Sequence, residues 1–355
     1  MWQEASYLFE INVKELQCFF ESRGWSPTLA PIFFAHLHRH RHTEVAQLPK
    51  SRFPRSFLEQ FEAWRLRPTL GYKLRTSSDG SRKYLMTLDD GLAVEAVFLP
   101  TEKRDTICLS SQVGCAMGCG FCATGTLGFR RSLSAGELMR QLHTVLAREG
   151  FGPGRSRRLN LVFMGMGEPL HQPEAVGKAV GLMTESNGLG LSCHDISVST
   201  IGWLPGVTAW SNWPQRPRLL LSVGSTLSHK RRLLMPVEGK YPLASTLELL
   251  SRVSWRPRER LVLSFVVIRD LTDGPDELPG LIRLTERVPA MVNLIPFNPH
   301  PAAPQHRPPT EERLQDMFQT LVSSGVFTTI RRSKGADVDG ACGQLMLAEG
   351  PQCTP

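Results

Sequence analysis

The chain has 355 residues and a mass of 39.6 kDa, room for one large α/β domain or a main domain with a smaller companion. Hydrophobic residues make up 41%, about half once the 30 glycines are added, which excludes a mainly disordered chain. The net charge of +8 (41 Lys and Arg against 33 Asp and Glu) fits polyanion binding without requiring it.

The excess charge is uneven. Residues 1–85 hold 13 Lys and Arg against 8 Asp and Glu, with His36, His38, His40 and His42 close together. No apolar run approaches the roughly 20 residues of a membrane helix. The start, Met1-Trp2-Gln3-Glu4, lacks the charged and apolar regions of a signal peptide. The expected compartment is therefore the cytoplasm, with no membrane partner. Structural disulfides are rare in such reducing surroundings.

Residues 1–75 read as helical and basic, a candidate RNA-contact domain. Phe9, Val13, Leu16, Phe19 and Phe20 recur at helical spacing, and Ser56–Leu66 repeats the pattern. Pro68 and Gly71 break it. Residues 76–105 read as a β-hairpin connector, with strands at Tyr84–Leu88 and Leu92–Leu99 around the turn Asp89-Asp90-Gly91.

Residues 106–345 alternate strands and helices. Strands are expected at Thr106–Ser110, Leu159–Met164, Asp195–Ser199, Arg218–Val223, Leu261–Ile268 and Met291–Pro296. Helices are expected at Ser134–Arg148, Pro173–Glu185, Pro242–Val253 and Glu277–Arg287, then at Thr310–Ser323 before a last strand at Phe327–Arg331. This order predicts an α/β fold on a parallel sheet, either a partial barrel or an open doubly wound sheet. Residues 346–355 read as a tail.

Four of the eight cysteines crowd into residues 108–122. Cys18 and Cys193 stand alone and read as small buried hydrophobes. Cys353 falls in the tail. The strongest motif is Cys115-Ala-Met-Gly-Cys119-Gly-Phe-Cys122, between an expected strand and an expected helix. Three thiolates at this spacing can hold three corners of a [4Fe–4S] cluster and leave the fourth iron open. Zinc is the alternative, although structural zinc takes four closed ligands and no second cysteine pair is present. Met164-Gly-Met-Gly-Glu168-Pro169 ends the next strand. Its glycines, Gly167 among them, permit close backbone approach, and Glu168 can pair with an ammonium group. Ser199-Thr200, Ser222-Val223-Gly224 and Asn298 follow later strands.

The cysteine spacing resembles the radical S-adenosylmethionine (SAM) superfamily, with Phe121 where the superfamily places an aromatic beside the SAM adenine. More specifically, the chain resembles the RlmN/Cfr family of RNA adenosine methyltransferases. The matching stretches are Val94-Glu95-Ala-Val, Cys108-Leu-Ser-Ser-Gln-Val-Gly-Cys115, Gly165-Met-Gly-Glu-Pro169, Asn293-Leu-Ile-Pro-Phe-Asn-Pro299 and Gly340-Ala-Cys342-Gly-Gln-Leu345. The resemblance implies a partial (β/α)6 barrel. It implies a [4Fe–4S] cluster on Cys115, Cys119 and Cys122, and SAM against Gly167, Glu168, Ser199, Ser222, Val223, Gly224 and Asn298.

It also implies a reaction on an adenine carbon, with C2 preferred to C8, consuming two SAM molecules per turnover. Adenine C2 and C8 are electron-poor and not nucleophilic, so direct methyl transfer from SAM fails. In the family's chemistry Cys342 first takes a methyl group. A radical from the second SAM removes a hydrogen from that group, and the carbon adds to the base. Glu95 removes the ring proton. Cys108 then attacks sulfur, leaving a Cys108–Cys342 disulfide that a reductant must reset. The implied partners are ribosomal RNA, in some members transfer RNA, and an electron donor such as flavodoxin or ferredoxin. A monomer is expected.

Arg39, Arg41, Arg52, Arg55, Arg65, Arg67, Arg130, Arg131, Arg331, Arg332 and Lys334 are candidates to track phosphates. The chain departs from the family where Ser222-Val-Gly-Ser225 replaces the usual Ser-Leu-His-Ala, and where Ile201 replaces a common serine. The other readings are a C8 methyltransferase of the antibiotic-resistance type, a radical SAM enzyme with a non-RNA substrate, and a zinc-stabilised RNA-binding protein.

Overall fold

The computed structural model describes residues 7–42, 44–152 and 157–346. Most of the expected tail, including Cys353, lies outside the described residues. The chain builds one ten-stranded sheet and a two-stranded ribbon. Strands β1 (Gly71–Thr76), β2 (Arg82–Thr87), β3 (Ala93–Pro100) and β4 (Arg104–Cys108) form an antiparallel meander. The turn at Asp89-Asp90-Gly91 joins β2 to β3, with Gly91 at φ +83°.

From β4 onward the pairing is parallel. It runs through β7 (Arg158–Phe163), β8 (Ile196–Thr200), β9 (Arg218–Ser222), β10 (Leu261–Val267), β11 (Ala290–Pro296) and β12 (Thr328–Ile330). Helices Ala135–Arg148, Pro173–Thr184, Leu204–Ser211, Leu243–Ser251, Glu277–Arg287 and Glu311–Ser323 fill the crossovers. This is the α/β architecture that the alternating pattern predicts. The expected last strand, at 327–331, joins the parallel run as its edge. Central strands are apolar on both faces: Leu261-Val-Leu-Ser-Phe265 is buried throughout, as a sheet covered by helices requires. Among the described residues no helix is long and apolar enough to cross a membrane.

Two features escape the sequence reading. The cysteine loop runs first into a 3-10 turn at Ala123–Thr126, and before the expected helix begins it is closed by a ribbon of β5 (Gln112–Gly114) and β6 (Phe129–Ser132). A Cβ at Gly114 (φ +74°) would strike the Gly128 carbonyl oxygen, so the closure needs glycine. The lone cysteines also differ from expectation: Cys18 is exposed and Cys193 is half-buried. Cys18 falls on the outer face of its helix, where Leu16 and Phe20 take the inner positions.

That helix, Val13–Ser22, starts at a capping box in which Asn12 Oδ1 accepts from the Glu15 amide at 2.9 Å and Glu15 returns the bond at 2.8 Å. With the helix Arg55–Trp64 it buries Phe20, Phe33, Phe57, Phe61 and Trp64 in one aromatic core. This helical layer packs on Ala135–Arg148, a helix buried on nearly every side because the sheet covers its other face. His38 and His143 meet there, ring centres 5.3 Å apart, both buried and with neither ring nitrogen of either residue hydrogen-bonded. Burial lowers His38 to about 3 and lowers His143 strongly as well.

This contact sets an acid limit. Below about pH 6.5 an unfolded histidine gains a proton that the buried ring refuses, so stability falls as pH falls. Between about pH 6.5 and 5 each histidine is expected to withdraw roughly 2 kcal/mol. Denaturant titrations should show this slope in the wild type and a flatter one in a His38→Leu/His143→Leu double variant. Equal slopes would contradict the assignment.

Candidate active site

The loops at the carboxyl ends of β7 to β11 converge on one cavity. Its lining includes Cys115, Cys119, Phe121 and Cys122, then Gly167 and Glu168, Ser199, Ser222 and Asn298, and finally Cys342. Residues from Cys115 to Gly343 are thus brought together. Val223 and Gly224 are not among the lining residues. Val223 is buried and its backbone is committed: its amide donates to the Ser264 carbonyl at 2.9 Å, and its carbonyl accepts from Arg231 Nε at 2.8 Å.

The cysteine loop and the Cys342 loop are tied to each other. The Ala123 amide donates to the Gly343 carbonyl at 2.7 Å, and Thr124 Oγ1 donates to the Leu345 carbonyl at 2.7 Å. Asn298 Nδ2 donates to the Cys342 carbonyl at 2.9 Å. The small residues around Cys342 allow this approach, with Gly343 at φ +85°.

Burial pushes the Cys115 thiol up to about 12 and raises Cys119 and Cys122, and the sulfurs add to one another's shift. Such thiols are released from their protons by a bound metal centre. Among the described residues, no three His, Cys, Asp or Glu side chains converge on a single-ion site. Three soft donors lining one cavity suit three corners of a [4Fe–4S] cluster.

Glu168 is the carboxylate of this cavity. It accepts from the Ile201 amide at 2.9 Å and the Leu170 amide at 3.0 Å, while its own amide donates to Gln112 Oε1 at 3.0 Å. Burial raises it to about 7 despite those bonds. A cationic ammonium would favour its charged form. Gly167, at φ +100°, is needed because a Cβ there would come within 2.5 Å of the Gln112 side chain.

A second cavity adjoins the first. Cys108, Met164, Arg331, Lys334 and Cys342 line it, with Val97 and Leu99 from β3. Met164 and Cys342 line both. Cys108 and Cys342 are free thiols. Burial, reinforced by Cys342, pushes Cys108 up to about 12, and Arg331 opposes this. Glu95 is not among the lining residues. It is buried on β3, on the face that Val97 and Leu99 share. Its Oε1 pairs with Lys83 Nζ at 3.0 Å, and Lys83 also donates to the Asp339 carbonyl at 3.3 Å. A lysine in a strand gives no sequence signal for such a partner.

Several candidate phosphate contacts have partners within the fold. Arg39 donates to the Gly188 carbonyl at 2.8 Å, Arg41 donates to the Phe151 carbonyl, and Arg131 pairs with Asp90 and Glu137 at 2.7 Å each. Arg332 pairs with Glu311. Arg39 and Arg41 tie the helical layer to loops of the sheet domain, whereas the Arg332–Glu311 pair lies at the surface.

At Gly224 (φ +71°) a Cβ would strike Met235 Sδ, with Arg231 also close. Arg231 is buried, pairs with Glu238 and donates to the Ile201 carbonyl at 2.7 Å. Gly224→His, installing the usual family side chain, is therefore expected to cost about 1–3 kcal/mol. Thermal unfolding tests this; an unchanged melting temperature would show that Met235 moves aside freely.

No protein-family model matches the chain. The chain is 39% identical over 279 residues to the dual-specificity RNA methyltransferase RlmN of Syntrophobacter fumaroxidans, a match covering 78% of this chain and 80% of that one. Against the protein of the same name from Solidesulfovibrio magneticus it is 37% identical over 347 residues, 95% of each. The crystal structure of a radical SAM methyltransferase from Sphaerobacter thermophilus superposes with a TM-score of 0.86 at 32% identity, over 95% of this chain and 98% of that one.

Proposed function

The chain belongs to the RlmN family of radical SAM RNA methyltransferases, and from that membership we propose that it methylates an adenine ring carbon through an S-methylcysteine on Cys342. The proposed carbon is C2, in ribosomal RNA and also in transfer RNA. The observation that carries this reading is the place of Cys342, which lines both the cavity of Cys115, Cys119 and Cys122 and the cavity of Cys108.

When bound, a [4Fe–4S] cluster with an open iron supplies the electron that cleaves SAM and so the means to abstract a hydrogen atom. The chain's residues do the rest. Cys115, Cys119 and Cys122 hold three irons. Glu168 meets the SAM ammonium group, and Ser199, Ser222 and Asn298 border the same space. Cys342 Sγ accepts a methyl group by displacement and holds it where one hydrogen is removed, and that carbon joins the base. The adduct would return one electron to the bound cluster and pass the ring proton to Glu95. Cys108 Sγ then attacks Cys342 Sγ. The carbon–sulfur bond breaks, its electrons take a proton on the new methyl group, and a Cys108–Cys342 disulfide remains. Two electrons from a thiol reductant restore both thiols.

In this reading two SAM molecules are used per product, a flavodoxin or ferredoxin supplies electrons, and a monomer suffices. The helical residues 1–75 face the RNA. Nucleoside mass spectrometry of RNA treated with reconstituted protein should give 2-methyladenosine. An 8-methyladenosine peak would move the protein to the antibiotic-resistance type, and no methyladenosine on any RNA would overturn the reading.

A further inference from the structure

Beside the first cavity runs a row of side chains that the reaction above does not use. Phe129, in β6, and His171 meet in a T-shaped contact with ring centres 5.5 Å apart. His171 lies 5.0 Å from Trp203, and Trp203 lies 5.1 Å from Tyr241 in a second T-shaped contact. Lys240 Nζ stands 5.3 Å from the centres of both the Trp203 and Tyr241 rings.

The four rings come from four separate segments of chain. Two of them join the site through a near neighbour: His171 follows the lining residue Pro169 by two positions, and Trp203 follows the lining residue Ile201 by two. Phe129 is 41% exposed, and His171, Trp203 and Tyr241 are half-buried. Trp203 and Tyr241 pack on one side against a buried apolar cluster and stay partly open on the other. Each ring has two faces; Lys240 and the T-shaped contacts take only some of them, so the row retains ring face for a planar ligand, most openly at the exposed Phe129.

We propose that Phe129, His171, Trp203 and Tyr241 form a stacking platform for unpaired RNA bases next to the target adenine, with Lys240 meeting an adjoining phosphate. The inference rests on RNA being the substrate. Its physical basis is general. A base must leave its stack to enter a closed site. Its displaced neighbours then need new stacking partners, and proteins that bind single-stranded RNA supply aromatic faces beside cations. The charge of the platform and the net charge of +8 suit a polyanion.

The test is fluorescence anisotropy with a short labelled oligoadenylate at fixed moderate salt, using the reconstituted full chain saturated with SAM. Stacking is worth roughly 1–3 kcal/mol per base, so Trp203→Ala should weaken binding about tenfold. Trp203→Phe keeps a ring and should stay within about threefold of wild type. Phe129→Ala removes a ring at the surface, where folding is not at risk, and should weaken binding about fivefold. Wild-type affinity in Trp203→Ala and Phe129→Ala would overturn the proposal. So would equal losses in Trp203→Ala and Trp203→Phe, or a wild type that does not bind. A wild type that binds in this ring-dependent way but methylates no RNA would uphold the platform and sink the proposed function.

Discussion

Cys342→Ala is expected to lose RNA methylation by three orders of magnitude or more, roughly what removing a nucleophile costs, while keeping its iron and its ability to bind SAM. The separation follows from how the loop is held. Asn298 and Ala123 bind backbone groups of Cys342 and Gly343, not the sulfur. Alanine keeps those bonds, so the tie to the cysteine loop survives, and Cys115, Cys119 and Cys122 stay in place. What disappears is the one thiol shared by both cavities. Iron content, the visible spectrum and labelled-methyl incorporation decide the matter together. Methylation near the wild-type rate would remove Cys342 from the chemistry, whereas loss of iron would give it a structural role.

Cys108→Ala is expected to stop the reaction one step later, with RNA joined covalently to the protein through Cys342. Cys108 ends β4, paired with Val97 on one side and Val162 on the other, so its position is fixed by the sheet. It shares the second cavity with Cys342 and Arg331. Burial holds its thiol near 12, and the Arg331 guanidinium favours the thiolate that must attack. Without that sulfur the carbon–sulfur bond to the product has no nucleophile to break it. A denaturing gel should show a retarded RNA-bearing band for Cys108→Ala, absent from the Cys108→Ala/Cys342→Ala double variant. A single variant that turns over freely would assign release to another group.

The parts of this site that were readable from the chain alone are those in which chemistry and spacing coincide. Cys115, Cys119 and Cys122 lie within eight residues, and one loop can place them in one cavity. Gly167 and Glu168 come directly after a strand whose apolar run is unmistakable, and alternating strands and helices put that strand end beside the cysteine loop. The unread parts depend on side chains that only the folded sheet brings together. Lys83 and Glu95 meet because β2 and β3 pair with Leu85 opposite Glu95, which leaves Lys83 on the diagonal. Arg331 reads as one of a basic run, yet its Nη1 lies 3.3 Å from Met164 Sδ beside Cys108. The aromatic row is assembled from β6, the 3-10 turn Pro169–His171 and two loops, with no periodicity to announce it. The β5–β6 ribbon is three and four residues long, too short for an alternation to register.

The most direct test of the account is the isotopic composition of the transferred methyl group. RNA is incubated through several turnovers with the reconstituted protein and SAM carrying a trideuterated methyl group, and the methyladenosine is weighed. A methyl group held on Cys342 must lose one hydrogen before it joins the base, and it regains one from a proton at release. The account therefore predicts methyladenosine carrying two of the three deuterium atoms. Methyladenosine that keeps all three would mean the methyl group passed intact from donor to base, and the route through Cys342 would be wrong.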